Sequence, residues 1–164
     1  MNVEIVTIGD ELLLGFTVDT NTSFLGRELA SLGVTVVRHT TCGDDVDVIV
    51  ETVREALERT GVVITTGGLG PTADDMTVEA VAKLFGRSMT RDESVARWLE
   101  QRWLTYRRDG PIPESNYKQA MIPTGAETVA NPIGSAPGVL VTDERGRWVA
   151  TLPGVPREAR AMFT

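Results

Sequence analysis

Sulfur and imidazole are almost missing from this chain: 164 residues contain one cysteine, Cys42, and one histidine, His39. No intramolecular disulfide can form, and a four-ligand Cys/His zinc site is excluded. Cys-His or Ser-His-Asp nucleophilic machinery would have to use His39, which sits inside the strand-like run VTVVRHTT (34–41). His39 and Cys42 therefore read as structural. Excess positive charge is missing too. Sixteen Lys and Arg against 23 Asp and Glu give a formal charge of −7, which argues against nucleic acid as a partner. No apolar run approaches the roughly 18 to 20 residues that span a bilayer, and the start of the chain has no signal-peptide pattern. The expectation is a soluble, cytoplasmic protein without a membrane partner.

The remaining material is ordinary for a globular domain, with 41% hydrophobic and 24% charged residues. A single domain over 1–164 would bury roughly 70% of its unfolded surface and needs no staple to fold. Catalysis, if present, falls to carboxylates, hydroxyls, glycine backbone and a hard cation.

Along the chain, residues 2–8 read as a first strand bounded by Gly9-Asp10. Asn21 or Thr22 could cap a helix carrying Leu25, Leu29 and Leu32, stopped by Gly33. After the second strand, Asp44 and Asp45 precede a helix with Val46, Ile49, Val50, Val53 and Leu57 on one face, closed by Gly61. VVITT (62–66) has the continuous apolar character of a parallel strand covered on both faces. A helix from about Met76 to Phe85 follows, then a charged helix over roughly 91–109 whose buried side would be Val95, Leu99, Trp103 and Tyr106. Beyond Gly110 the segments are short, with VLVTD–ERG–RWVATL as an antiparallel hairpin and a last helix from Pro156. The alternation predicts an open α/β sheet.

The strongest motif is TTGGLGPTADD (65–75), at the end of a buried strand and the start of a helix, where open α/β sheets bind ligands. Backbone N–H groups of Gly67, Gly68 and Gly70 could approach a phosphate, with Thr66 and Thr72 beside them. The string is neither a P-loop nor a dinucleotide fingerprint. The plainer alternative is a shaped turn with Thr72 and Asp75 as a capping box. Asp74 and Asp75 next to an anion cradle would need a cation or a proton, which suggests metal-assisted phosphate chemistry. Asp10 and Glu11, in GDELLLG (9–15), fall at the same sheet edge. Asp10 and Asp75 are the candidate ligands of a magnesium-type ion, Glu11 and Asp74 the candidates to orient a water. Asn21 could touch a ligand or merely cap its helix. NPIGSAPG (131–138), with Gly134 and Ser135, and LPGVP (152–156), with Pro153 and Gly154, could wall the site. Asn116 and Lys118, one of two lysines, lie in a polar cluster with Ser115 and Gln119, where Lys118 could meet a phosphate or simply face solvent.

GDELLLG, DTN, TTGGLGPTADDMT, NYKQA, NPIGSAPG and LPGVP, in that order, resemble the N-terminal domain of the competence/damage-inducible CinA family, part of the molybdopterin-binding fold. The resemblance implies a three-layer α/β/α sandwich with a mostly parallel sheet and an added antiparallel hairpin, a homo-oligomer, and a small phosphorylated ligand. For the CinA branch it implies hydrolysis of ADP-ribose, or a similar nucleoside-diphosphate sugar, to AMP and ribose 5-phosphate. The cofactors would be a divalent ion (Mg, Mn or Co) and K+. The alternatives are a molybdopterin-binding or adenylylating protein of molybdenum-cofactor biosynthesis and a non-catalytic ligand-binding module. In the adenylyltransferases the glycine loop carries Arg-Asp. Here Asp75 matches the shared acid and Asp74 replaces the arginine, which favours hydrolysis. Many CinA proteins continue into a deamidase domain, for which nothing here provides residues. The helix at Pro156 is where a linker would lead onward.

Overall fold

A computed structural model describes residues 1–106 and 110–164. β1 (Asn2–Ile8) leads into a one-turn helix α1 (Asp10–Leu13), then α2 (Thr20–Ser31), β2 (Thr35–Cys42), α3 (Val46–Thr60) and β3 (Val62–Thr66). Next come α4 (Thr77–Leu84), β4 (Met89–Arg91), α5 (Glu93–Tyr106), a 3-10 helix over Glu114–Ala120, β5 (Met121–Pro123) and β6 (Glu127–Val129). β7 (Gly138–Thr142), β8 (Trp148–Leu152) and α6 (Pro156–Phe163) complete the described chain.

Six strands form one sheet in the order β2-β1-β3-β8-β7-β6. β2, β1, β3 and β8 run parallel, and β7 and β6 add on antiparallel through the expected hairpin. Parallel strands point their C-terminal ends to one edge, so the loops after β1, β2, β3 and β8 converge there.

Strand alternation separates the two cores. Val6 and Ile8 face Ile49, Val53 and Leu57 of α3 and Val81 of α4, whereas Val3 and Ile5 face Leu25 and Leu29 of α2 and Ala159 of α6. The result is the three-layer α/β/α sandwich. α5 lies outside it, packing Val95, Ala96 and Leu99 on Ala120.

Several details differ from the sequence reading. Asp19, not Asn21 or Thr22, caps α2, accepting from Thr22 N at 2.9 Å, and Asn21 is buried within the first turn. Of the predicted buried side of α5, Val95 and Leu99 are buried, Trp103 is half-buried and Tyr106 is exposed, beyond the cluster that packs on Ala120. The 107–109 end of that predicted helix lies outside the described residues. The antiparallel β4–β5 ladder had no sequence signal, since three-residue strands are too short to show a period.

Candidate functional site

A cleft of about 460 Å³ opens at the C-terminal edge of the parallel strands, within the ~300–1,000 Å³ range of small-molecule sites. Three loops form it by backbone contact. Gly67, at φ +102°, passes so close to the end of β1 that a Cβ there would meet the Ile8 carbonyl oxygen at 2.1 Å; only glycine fits. Gly154, after β8, lies against Gly67. Thr77 then staples the glycine loop to α4: its hydroxyl donates to Gly67 O at 2.8 Å and its N–H to Gly68 O at 3.2 Å. Gly67 N–H is committed to Leu152 O, but those of Gly68, Leu69 and Gly70 make no hydrogen bond among the described residues. Three adjacent free donors in a half-buried turn suit an anion.

Of the residues singled out from sequence, Glu11, Gly67, Gly68, Gly70, Asp74 and Asp75 line the cleft. Ser135, Pro153 and Gly154 form its opposite wall. Thr72 and Asp75 are bonded to each other: Asp75 Oδ2 accepts from Thr72 N at 2.9 Å and from its hydroxyl at 2.6 Å. They do not form a capping box, since α4 begins only at Thr77 with no side-chain cap. Asp75 packs onto Gly70, where a Cβ would come within 2.5 Å of its carboxylate.

The other candidates lie elsewhere. Asp10 is not a lining residue. Its Oδ1 accepts from Asp44 N at 3.2 Å, while its own N–H donates to Asp44 Oδ2 at 3.0 Å, a reciprocal clasp between the loops after β1 and β2. Asn21 supports the wall from behind, donating to Gly154 O at 2.9 Å, and its Oδ1 is buried without a partner among the described residues. Thr66 is buried at the end of β3. Lys118 ties down the glycine loop, with Nζ donating to Thr72 O at 2.6 Å, and does not line the cleft. Asn116 and Gly134 border a separate surface hollow of about 330 Å³ beside Tyr106 and Arg157.

Two acids and an amide were not singled out as site residues from sequence. Asp44 and Glu158 line the cleft, as does Gln119. Strand direction could have identified Asp44, which follows β2 at the same edge as Glu11. Glu158 and Gln119 carried no signal beyond their place near LPGVP and NYKQA. With them the wall holds five carboxylates, Glu11, Asp44, Asp74, Asp75 and Glu158, and no Lys, Arg or His among the described residues. Partial burial holds the Asp44 carboxyl above its ordinary range against the hydrogen bond from Asp10 N–H, and the charges of Asp10, Glu11 and Asp75 add to the rise. Burial also pushes the Cys42 thiol up to about 11, which leaves it without thiolate character at neutral pH. His39 bonds Thr7 at 3.0 Å and Asp19 at 3.1 Å, away from the cleft.

A family model described as "Probable molybdopterin binding domain" matches residues 4–164. The crystal structure of CinA from Thermoplasma acidophilum superposes with a TM-score of 0.90 at 38% identity, over 99% of this chain and 93% of that one. The chain belongs to the molybdopterin-binding domain family, on its CinA branch. A CinA-like protein of Gemmatimonas aurantiaca is 62% identical over 99% of this chain and 38% of its own length. A second, from Frankia casuarinae, is 45% identical, with the chain again spanning 38% of the relative. The CinA-branch domain thus covers about two-fifths of these relatives. MoaB of Thermus thermophilus, titled a molybdopterin biosynthesis enzyme, shares the fold at TM-score 0.64 and 22% identity. Among the described residues no helix is long and apolar enough to cross a membrane.

Proposed function

We propose that the cleft binds a phosphorylated pterin or nucleotide, with its phosphate on the N–H groups of Gly68, Leu69 and Gly70. The observation that carries this reading is the pairing of those free donors with a wall that, among the described residues, has five carboxylates and no basic side chain. An anion cannot settle among five acids unless positive charge arrives with it.

Among the described residues no group of three or more His, Cys, Asp or Glu is placed to hold a metal ion. A zinc-type cage does not fit. Magnesium-type ions need only one or two carboxylates, with waters and ligand oxygens completing the shell, and that donor set fits. Asp75 and Glu11 would hold the ion, with Asp10 acting through its clasp on Asp44 rather than as a ligand. Once bound, the ion neutralises charge on the phosphate oxygens.

A finer reading, hydrolysis of ADP-ribose to AMP and ribose 5-phosphate, is favoured by exposed carboxylates at the same wall. Glu11 and Asp74 are solvent-facing and can accept a proton from a water aimed at phosphorus, while Gly68–Gly70 hold the departing phosphate. Self-association belongs to the same proposal, with exposed Leu14, Phe16 and Val18 as the surface that a second copy would cover.

AMP release from ADP-ribose, measured with Mg2+, Mn2+ or Co2+ and with or without K+, tests the reading. Metal-dependent release that falls roughly 100-fold in Asp75→Asn is expected. Metal-dependent binding of a phosphorylated pterin without AMP release would retain the binding site and remove the hydrolase. Failure of both would overturn the proposal.

A further inference from the structure

Behind the glycine loop lies a second space of about 220 Å³ that shares Gly68, Leu69, Gly70, Asp75 and Gln119 with the main cleft. Its chemistry is different. Val78, Met89, Met121, Ile122 and Pro137 make the walls largely apolar, and Asp75, Glu79 and Lys118 add three charged groups. Half-buried methionines present polarizable sulfur, which packs well against the face or edge of a planar ring. The volume suits a ring-sized fragment rather than a whole nucleotide.

Gln119 borders both spaces and is only 7% exposed. Its amide orientation is fixed by chemistry. Nε2 donates to Leu69 O at 3.2 Å, and a carbonyl can only accept, so the NH2 must be the end that faces Leu69. Oε1 is then left buried with no partner among the described residues. Buried polar side chains are satisfied in the great majority of cases, so an orphaned acceptor on a residue that borders a cavity calls for a partner, and a ligand N–H is one that the cavity can supply.

We infer that Gln119 is a specificity-determining residue: its Oε1 accepts an N–H from a planar nitrogen heterocycle seated in the apolar space behind the glycine loop. The assignment rests on the phosphate reading above and extends it. A ligand that places its ring against Met89 and Met121 would cross the glycine loop with its phosphate over Gly68–Gly70. Purines and pterins both offer such N–H edges, so the shared chemistry is the heterocycle. A ring with no donor at that edge would leave Oε1 unsatisfied and bind less well.

Calorimetric titration of the protein in Mg2+ with three probes tests this. AMP carries a purine and a phosphate, 6-hydroxymethylpterin a ring alone, and ribose 5-phosphate a phosphate alone. Gln119→Leu is expected to weaken AMP or the pterin about tenfold while changing ribose 5-phosphate less than twofold. Whichever ring shows that loss is the one the space accepts. Met89→Trp, which fills the space and leaves Gln119 intact, should reproduce the loss. Ribose 5-phosphate binding by each variant shows that the cleft is still folded. Equal weakening of all three probes, or ring affinities untouched by both substitutions, overturns the inference and leaves the phosphate site standing. Ring binding that depends on Gln119 without any ribose 5-phosphate binding would support the inference and overturn the phosphate reading. No binding of any probe overturns both.

Discussion

Glu4 lies within β1 and Glu11 just beyond its end, yet the protein treats the two carboxylates in opposite ways. Glu4 is 1% exposed, and Arg59 of α3 grips it bidentately, Nε to Oε1 at 2.8 Å and Nη2 to Oε2 at 2.9 Å. Its charge is fully matched inside the molecule. Glu11 joins four other acids around the cleft, and among the described residues no basic side chain lines that wall. Lys118, the basic candidate from sequence, donates to Thr72 O and borders the second space rather than the cleft. Charge balance is therefore internal at the buried end of the sheet and left to an outside partner at the open end. The first arrangement stabilises the fold; the second makes the cleft dependent on what it binds.

The largest effect that bears on this contrast is expected at the paired end. Glu4→Gln puts a neutral amide in the buried position of Glu4 and weakens its two charge-assisted hydrogen bonds to the exposed Arg59, which keeps Glu55 beside it. The expected loss is about 2 kcal/mol. Urea denaturation should show the midpoint falling with an unchanged slope. A loss below about 0.5 kcal/mol would mean that Arg59 finds water at once, and the two ends would not differ as argued.

A smaller effect is expected from neutralising the open end from outside. If the cleft recruits a divalent cation, Mg2+ at ten times its Kd should raise stability by about 1.4 kcal/mol, and sodium at matched ionic strength should not. Glu4→Gln should keep that increment, since Glu4 is already paired. Loss of the increment in Glu4→Gln, or its absence in the parent, would break the division between the ends.

The difference in legibility follows the same line. Strand periodicity, the apolar face of α3 and the glycine stop at Gly61 are local patterns, and they carried over into the three layers. The glycine loop could be placed because parallel strands share one C-terminal edge. What could not be read was side-chain direction at that edge. Asp10 and Asp44 follow different strands and clasp each other N–H to carboxylate, yet only Asp44 lines the cleft. Asn21 looked like a cap because capping residues and buried amides share composition; Asp19 takes the cap. Gln119 and Glu158 reach the cleft from a 3-10 helix and from α6, through packing between segments far apart in the chain.

The smallest effect is the most direct reading of unmatched charge. Asp44 has its carboxyl pKa raised, first by partial burial, so the folded protein holds that proton more tightly than the unfolded chain does. The sign follows from linkage: ionised Asp44 disfavours folding above its raised pKa, and the penalty fades as pH falls through that value toward the ordinary carboxylate range. Asp44→Asn removes the charge and keeps an oxygen to accept from Asp10 N–H. At pH 7, without divalent ions, it should stabilise by about 0.5 kcal/mol, or one to two degrees in Tm. The gain should shrink on acidification and vanish below about pH 3, well under the ordinary aspartate value, where the parent Asp44 is protonated in both states. Saturating Mg2+ should reverse the order at pH 7, because a bound cation makes the Asp44 charge favourable. A stability loss on Asp44→Asn in metal-free buffer would show that the clasp with Asp10 outweighs repulsion, and the open end would then be balanced from within, as Glu4 is.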